Sequence, residues 1–116
     1  MPPKTILIVD DDATLRKVLS HLLQSQGYAV VTAPSVAEGA KTLEKGPVHA
    51  VLLDLVIGND NGWDALRVFW GKYKARVILM TGTLVDGEVV KDAKLLGAHG
   101  VLQKPFANEA LFAAVA

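Results

Sequence analysis

The sequence contains no cysteine, which excludes disulfide bonds and thiolate chemistry and fits a reducing compartment. It has no excess of charge of either sign, because 12 Lys and Arg residues balance 12 Asp and Glu residues. Without a basic surface field, nucleic-acid binding by this chain is not expected. It also has no apolar run long enough to span a bilayer, and its start lacks the long apolar region of a signal peptide. These absences predict a cytoplasmic domain that binds neither membranes nor nucleic acid.

The sequence does contain enough apolar material for one domain with a proper core, since 51% of its 116 residues are hydrophobic. Short apolar runs of the kind found in strands buried on both faces alternate with stretches of helical periodicity. Strands are predicted over residues 6–9, 28–33, 49–54, 76–81 and 100–103, and helices over residues 14–26, 35–45, 63–73 and 86–96. Asn108 is predicted to cap a short last helix, and residues 58–62 to form an irregular loop. This alternation predicts an α/β fold with one doubly wound parallel sheet of five strands.

Polar residues stand where four of these strands end. They are Asp10, Asp11 and Asp12 after the first strand, Asp54 at the end of the third, Thr81 at the end of the fourth and Lys104 after the fifth. In an open parallel sheet the carboxyl ends of all strands share one edge, and ligands bind there. We therefore expect these carboxylates, a hydroxyl and an ammonium group to converge into a set that can hold a divalent cation and a phosphoryl group.

Carboxylates crowded at one edge raise one another's pKa, and a divalent cation removes that penalty. Oxygen ligands without a neighbouring His or Cys favour Mg²⁺, with Mn²⁺ as the alternative. Asp12 stands where a helix N-cap belongs, so it is interpreted as a cap. Asp54 ends the most apolar strand and can be a metal ligand, a nucleophile or both, unless it only terminates the strand.

Five short motifs follow one another at a characteristic spacing. They are Ile6-Leu7-Ile8-Val9-Asp10-Asp11, Leu52-Leu53-Asp54 with Asn61-Gly62, Met80-Thr81-Gly82, Gly97-Ala98 and Lys104-Pro105-Phe106. In this order the chain resembles the receiver domain of two-component response regulators over residues 4–116. The resemblance implies a flavodoxin-like (βα)5 fold with strand order 2-1-3-4-5. Residues 1–116 are then expected to form a single receiver domain, and its short last helix is compatible with truncation there or with a longer natural chain.

The resemblance implies a metal site and a phosphoacceptor. Asp54 would accept the phosphoryl group, and Asp11 and Asp54 would bind Mg²⁺ directly, together with the backbone carbonyl of Val56. Asp10 would act largely through a metal-bound water. The chain would thus be a signalling domain that catalyses its own phosphorylation and dephosphorylation, and not an enzyme that turns over another substrate.

The resemblance also implies the groups that hold the phosphoryl oxygens, and the partners. Lys104 would pair with these oxygens, and Thr81 would donate its hydroxyl to one of them. The donor would be a phosphohistidine on a sensor histidine kinase or phosphotransfer protein, or a small acyl phosphate. Phosphorylation would switch a face formed by helix 4, strand 5 and helix 5, which would act on a downstream output domain or protein and could also mediate a dimer.

Some positions depart from the family pattern. Val101 stands where an aromatic residue is common, which argues against the usual threonine–aromatic switch. Gly58 and Asn61 replace a frequent proline and a frequent acid, which predicts a looser loop after Asp54. Val56 offers no side-chain donor to orient a hydrolytic water, so slow dephosphorylation is expected.

Two other functions compete with this one. The run from Asp10 to Thr14 also fits the D-x-D-x-T motif of haloacid-dehalogenase-like phosphatases, with Asp10 as nucleophile and Asp12 as general acid. That interpretation leaves Asp54 without a role and lacks a distal acidic pair. The other alternative is a receiver-like binding module that is never phosphorylated, an interpretation to which Val101 lends some weight.

Overall fold

The computed structural model describes residues 3–116, which form seven strands and five helices. The strands are β1 Thr5–Val9, β2 Ala29–Ala33, β3 Ala50–Asp54, β4 Val56–Ile57, β5 Asp60–Asn61, β6 Val77–Thr81 and β7 Ala98–Gln103. The helices are α1 Ala13–Ser25, α2 Val36–Lys45, α3 Gly62–Tyr73, α4 Gly87–Leu95 and α5 Asn108–Val115. Five strands form a parallel sheet in the order β2-β1-β3-β6-β7. This is the predicted order 2-1-3-4-5 of a flavodoxin-like fold, which is confirmed.

The sheet separates two apolar cores, because alternate residues of each buried strand point to opposite faces. On one face, Leu7, Val51 and Leu79 pack with residues of α2, α3 and α4, among them the fully buried Phe69. On the other face, strand residues such as Leu52 pack with α1 and α5. None of the helices among residues 3–116 is long and apolar enough to cross a membrane.

The helix starts are fixed by side-chain caps at four of the five helices. Asp12 accepts a hydrogen bond from the Leu15 N–H at 3.1 Å, so its interpretation as the N-cap of α1 is confirmed. The predicted cap of the last helix is wrong. Asn108 is the first helical residue of α5, and Ala107 occupies the N-cap position without a side-chain hydrogen bond.

The predicted irregular loop after Asp54 is instead a short antiparallel hairpin formed by β4 and β5. Gly58 begins its two-residue turn with φ +57, a conformation that favours glycine. Asn61 ends the hairpin and caps α3, accepting a hydrogen bond from the Trp63 N–H at 2.9 Å. The two departures from the family pattern therefore have structural uses, a turn and a helix cap.

The side chain of Trp70 covers the turn between α4 and β7, and it requires a glycine there. Gly97 has φ +104, and a Cβ at this residue would lie 2.3 Å from the Cγ of Trp70. Trp70 is 43% exposed and packs over this turn.

Gly97→Ala is expected to lower the free energy of unfolding by about 3 kcal/mol, because the added methyl group meets the indole and the backbone is left-handed. Urea unfolding followed by circular dichroism measures the change. Gly71→Ala is the matched control, since nothing lies within 4 Å of its added Cβ and it sits in the same helix as Trp70. The interpretation is wrong if both variants unfold alike.

A basic cluster at the amino ends of the strands fastens the end of α5. The Nε2 of His49 donates to the Val115 carbonyl at 2.6 Å, and Nη1 of Arg76 donates to the same carbonyl at 3.2 Å. Nη2 of Arg76 donates to Nε2 of His99 at 2.8 Å, so this nitrogen must be unprotonated. Desolvation and the charges of Arg76 and Lys94 lower the pKa of His99.

Because the folded state disfavours a proton on His99, its contribution to stability is complete above the ordinary histidine pKa of 6.5 and is lost as pH falls through the lower folded value. His99→Gln keeps an acceptor for Arg76 and cannot titrate. We expect its free energy of unfolding to fall less between neutral and mildly acidic pH than that of the unaltered chain. His21→Gln, on the exposed face of α1, serves as the control. Equal pH slopes for all three proteins would contradict this.

Candidate functional site

Three aspartate side chains meet at the carboxyl edge of the sheet. β1 and β3 are parallel neighbours, with Val9 opposite Leu53, so the residues at their ends come together. Carboxylate oxygens of Asp10, Asp11 and Asp54, one from each, all lie within 4.8 Å of one another. Asp10 is fully buried and Asp54 is 8% exposed, whereas Asp11 faces solvent. The structure thus brings together three of the four carboxylates expected at the strand ends, and the fourth, Asp12, caps α1 instead.

Backbone N–H groups hold the two buried carboxylates in place. Oδ1 of Asp10 accepts from the Asp12 N–H at 2.9 Å, and Oδ1 of Asp54 accepts from the Val56 N–H at 3.0 Å. Each is a local turn that an aspartate forms with the residue two positions on. The remaining oxygen of each carboxylate, Oδ2, lies within hydrogen-bond distance of the Lys104 ammonium.

The third carboxylate links the cluster to the hairpin. Oδ2 of Asp11 accepts from the Gly58 N–H at 2.8 Å, across 47 positions of sequence. This bond ties the turn between β4 and β5 to the end of β1. The hairpin therefore has a fixed position over the cluster.

Lys104 brings the positive charge. Its Nζ lies 2.8 Å from Oδ2 of Asp54 and 3.1 Å from Oδ2 of Asp10, so one ammonium joins both buried carboxylates. Its backbone N–H donates to the Thr81 carbonyl at 2.7 Å, which continues the pairing of β6 with β7. The side chain is 25% exposed, and its ammonium reaches the cluster from a fixed strand end.

The environment shifts the pKa values of two of these groups. Burial raises the pKa of Asp10, and this outweighs the opposing effects of its bonds to the Asp12 N–H and Lys104. Partial burial by itself lowers the pKa of Lys104, but its hydrogen bonds to Asp54 and Asp10 outweigh this and leave the pKa raised. The lysine is therefore an ammonium at neutral pH.

The donor set fits a hard divalent cation. With all groups ionised, three carboxylates face one ammonium, which leaves negative charge in excess. The donors are oxygen atoms only, of the kind that Mg²⁺ prefers. A cation at this edge would favour the charged form of Asp10 and so offset the effect of the desolvation that raises its pKa.

Thr81 lies at the same edge as the last residue of β6 and is 3% exposed. In the described part of the chain its hydroxyl bonds neither Asp54 nor Lys104. Its Oγ1 is 2.8 Å from Oγ1 of Thr83 and accepts from the Thr83 N–H at 3.1 Å. The structure therefore places Thr81 beside the cluster but with another hydroxyl as its partner.

The two valines singled out from the sequence differ in exposure. Val56 is 71% exposed at the rim of the site, and its carbonyl as a metal ligand stays a prediction. Val101 is half-buried, lies opposite Leu79 in the sheet and packs against the core on the α2–α3–α4 face. Its effect on switching also stays a prediction.

Two residues contribute to the site in ways that the sequence does not predict. Thr83 is not among the residues predicted for the site, although a threonine hydroxyl commonly accepts from the N–H two residues on, as Thr81 does from Thr83. Gly62 was noted only as part of a motif. A Cβ there would lie 2.4 Å from the Cα of Leu55, so the start of α3 can approach the residue after Asp54 only with glycine. No local pattern reveals such a contact.

Comparisons with known proteins agree on one family. The chain matches the family model of the response regulator receiver domain over residues 6–116. It is 38% identical to the acid tolerance regulatory protein ActR of Sinorhizobium medicae over 98% of this chain and 59% of that protein. It is 32% identical to the photosynthetic apparatus regulatory protein RegA of Cereibacter sphaeroides, over 97% and 62%. The chain spans about three-fifths of the length of these relatives.

Solved structures agree as well. The chemotaxis response regulator CheY4 of Vibrio cholerae superposes with a TM-score of 0.88 at 28% identity, covering 97% of this chain and 96% of that one. A response regulator of Burkholderia pseudomallei, solved with a phosphorylated aspartic acid, a calcium ion and citrate, has a TM-score of 0.87 at 28% identity, covering 97% and 66%. With its parallel sheet and its acidic edge, the chain therefore belongs to the response regulator receiver domain family.

Proposed function

We propose that this receiver domain accepts a phosphoryl group on Asp54. The observation that supports the proposal is the environment of this carboxylate. It stands at the end of a buried strand, with the Lys104 ammonium at 2.8 Å and two further aspartates in the same cluster. A rigid nucleophile beside fixed positive charge is what phosphoryl transfer requires of a protein.

In the transfer, a carboxylate oxygen of Asp54 forms a bond to phosphorus as the bond from phosphorus to a histidine nitrogen of the donor breaks. The imidazole leaves with its electron pair, and the product is an acyl phosphate. With acetyl phosphate as donor, acetate leaves instead. The Lys104 ammonium neutralises charge on the transferring oxygens, and Thr81 donates a hydrogen bond to one of them.

Asp10, Asp11, Asp54 and the carbonyl of Val56 would hold Mg²⁺ or Mn²⁺. When bound, this cation adds positive charge against the phosphoryl oxygens. The Burkholderia relative, whose structure includes both a phosphorylated aspartic acid and a calcium ion, supports a divalent cation in this role. Asp10, fully buried and bonded to Lys104, is expected to act through water rather than as a direct ligand.

The proposed phosphoryl donor is a sensor histidine kinase or a phosphotransfer protein. The proposed target of the signal is an output domain or a downstream protein. The names of the relatives, regulatory proteins of acid tolerance and of the photosynthetic apparatus, support a regulatory output. We assign the signalling face, and any dimer contact, to α4, β7 and α5.

The geometry disfavours the phosphatase interpretation. The phosphatase needs Asp10 as nucleophile, but the side chain of Asp10 is fully buried, whereas Asp54 is 8% exposed. Asp12 is occupied as the cap of α1. The pair is therefore poorly arranged as nucleophile and general acid. An experiment distinguishes the proposed function from the other alternative, a binding module that is not phosphorylated.

The experiment is mass spectrometry of the chain after incubation with acetyl phosphate, with Mg²⁺ or with a chelator, followed by location of the modified residue. We expect the mass of one phosphoryl group on the peptide that contains Asp54, only when Mg²⁺ is present. Modification of Asp10 would support the phosphatase. No modification, together with no binding of beryllofluoride, would support the binding module.

A further inference from the structure

The hydroxyl group of Thr81 is held by its neighbour two residues on. Its Oγ1 accepts from the Thr83 N–H at 3.1 Å and lies 2.8 Å from the Thr83 hydroxyl oxygen. Both threonines line a cavity beside the aspartate cluster, together with Leu55 and Val56, the two residues after Asp54. Thr81 is buried, whereas Thr83 is exposed. The hydroxyl pair thus extends from the interior to the rim of the site.

The direction of the hydrogen bond between the two hydroxyls decides what Thr81 can do. A threonine hydroxyl has one proton to donate and two lone pairs to accept. If Thr81 donates to Thr83, no proton remains for an anion. If Thr83 donates to Thr81, the proton of Thr81 is free. Rotation about two C–O bonds interchanges these arrangements without moving a heavier atom.

We infer that Thr83 is a positioning residue for the phosphoryl group, one whose hydroxyl donates to Thr81 and so directs the Thr81 proton to a phosphoryl oxygen. This inference rests on the proposed function and deepens it. A hydrogen bond to an ionised acceptor is stronger than a neutral one, and a donor that itself accepts a hydrogen bond is polarised further. An anion on Asp54 therefore selects the arrangement in which Thr83 donates.

The loop that carries Thr83 is fastened to the strand that carries Lys104. The side-chain oxygen of Gln103 accepts from the Val85 N–H at 2.9 Å, and the Lys104 N–H donates to the Thr81 carbonyl at 2.7 Å. The Thr83 N–H is bonded as well. Because these bonds order the loop before any ligand binds, little entropy is lost when the Thr83 hydroxyl turns toward Thr81.

The test is titration calorimetry with beryllofluoride, a mimic of the phosphoryl group, in saturating Mg²⁺. Thr83→Val keeps the shape of the side chain without its hydroxyl, and is expected to weaken beryllofluoride binding about five-fold. Thr83→Ser restores the hydroxyl, and is expected to bind within about two-fold of the unaltered chain. Thr32→Val, at an exposed site on β2, is the matched control and leaves binding unchanged. Affinity for Mg²⁺ alone is unchanged in all three.

A second comparison tests whether Thr83 acts through Thr81. In a Thr81→Val background, Thr83→Val is expected to cause no further loss of beryllofluoride affinity. The inference is overturned if Thr83→Val binds as the unaltered chain does, if Thr83→Ser fails to restore binding, or if the full loss persists without the Thr81 hydroxyl. If the unaltered chain binds no beryllofluoride, the proposed function fails and this inference fails with it.

Discussion

An Asp54→Asn chain is expected to gain no phosphate from acetyl phosphate and Mg²⁺, under conditions in which the unaltered chain gains one phosphoryl group. The amide matches the carboxylate in shape, and its oxygen can still accept from the Val56 N–H that holds Asp54 at 3.0 Å. It has no anionic oxygen to attack phosphorus, so the loss is chemical and not structural. Mass spectrometry of the intact protein measures it, and an unchanged circular dichroism spectrum shows that the fold is kept.

Asp10→Asn is the matched control, because it removes a neighbouring carboxylate from the same cluster. It is expected to weaken divalent cation binding and slow the labelling, but the phosphoryl group still arrives on Asp54. A phosphatase that uses Asp10 as nucleophile would show the opposite pattern, with labelling lost in Asp10→Asn and kept in Asp54→Asn. The two variants together therefore assign the nucleophile.

The sequence was sufficient to predict the sheet and most of the cluster, for physical reasons. Strands buried on both faces must be apolar along their whole length, so an aspartate at the end of such a run is conspicuous. Asp54 ends β3, whose residues are all buried, and Asp10 follows the buried residues of β1. The convergence of both with Lys104 then follows from the parallel direction of the strands.

What the sequence could not predict depends on contacts between distant segments. The hairpin of β4 and β5 has two residues in each strand, too few for a periodic pattern. Its position over the cluster depends on the bond from Gly58 to Asp11, which no local propensity describes. The cap at Asn108 was wrong because a capping residue type one position inside the helix is indistinguishable from a cap without the backbone angles.

The direction of the Thr81 hydroxyl is a further example. The sequence placed a threonine at the correct strand end, but its partner in the structure is Thr83 and not the phosphoryl site. A hydroxyl group rotates to form the best hydrogen bond available to it. Its partner therefore depends on how the loop after Thr81 folds. The same hydroxyl can therefore serve the unphosphorylated domain and the phosphorylated form proposed for it.

Lys104→Met is expected to slow labelling by acetyl phosphate about 100-fold, since it removes the only ammonium bonded to the cluster within residues 3–116. Methionine keeps an unbranched side chain along the groove that Lys104 shares with Leu15 and Phe106. The unphosphorylated variant is expected to lose about 2 kcal/mol of unfolding free energy at neutral pH without divalent cation, because Asp10 and Asp54 lose their partner. A fully buried charge that loses its partner costs more than this. The expected loss is smaller here because the side chain of Lys104 is 25% exposed.

Mg²⁺ distinguishes this electrostatic cause from damage to packing. With the ammonium gone, Asp10 and Asp54 face each other without a cation, so Mg²⁺ is expected to stabilise Lys104→Met more than it stabilises the unaltered chain. Thermal unfolding across a Mg²⁺ titration measures the difference, and Lys41→Met, an exposed lysine on α2, is the control. If Mg²⁺ stabilised Lys104→Met and the unaltered chain equally, Lys104 would contribute only packing. The site would then lack the fixed positive charge that the proposed phosphoryl transfer to Asp54 requires.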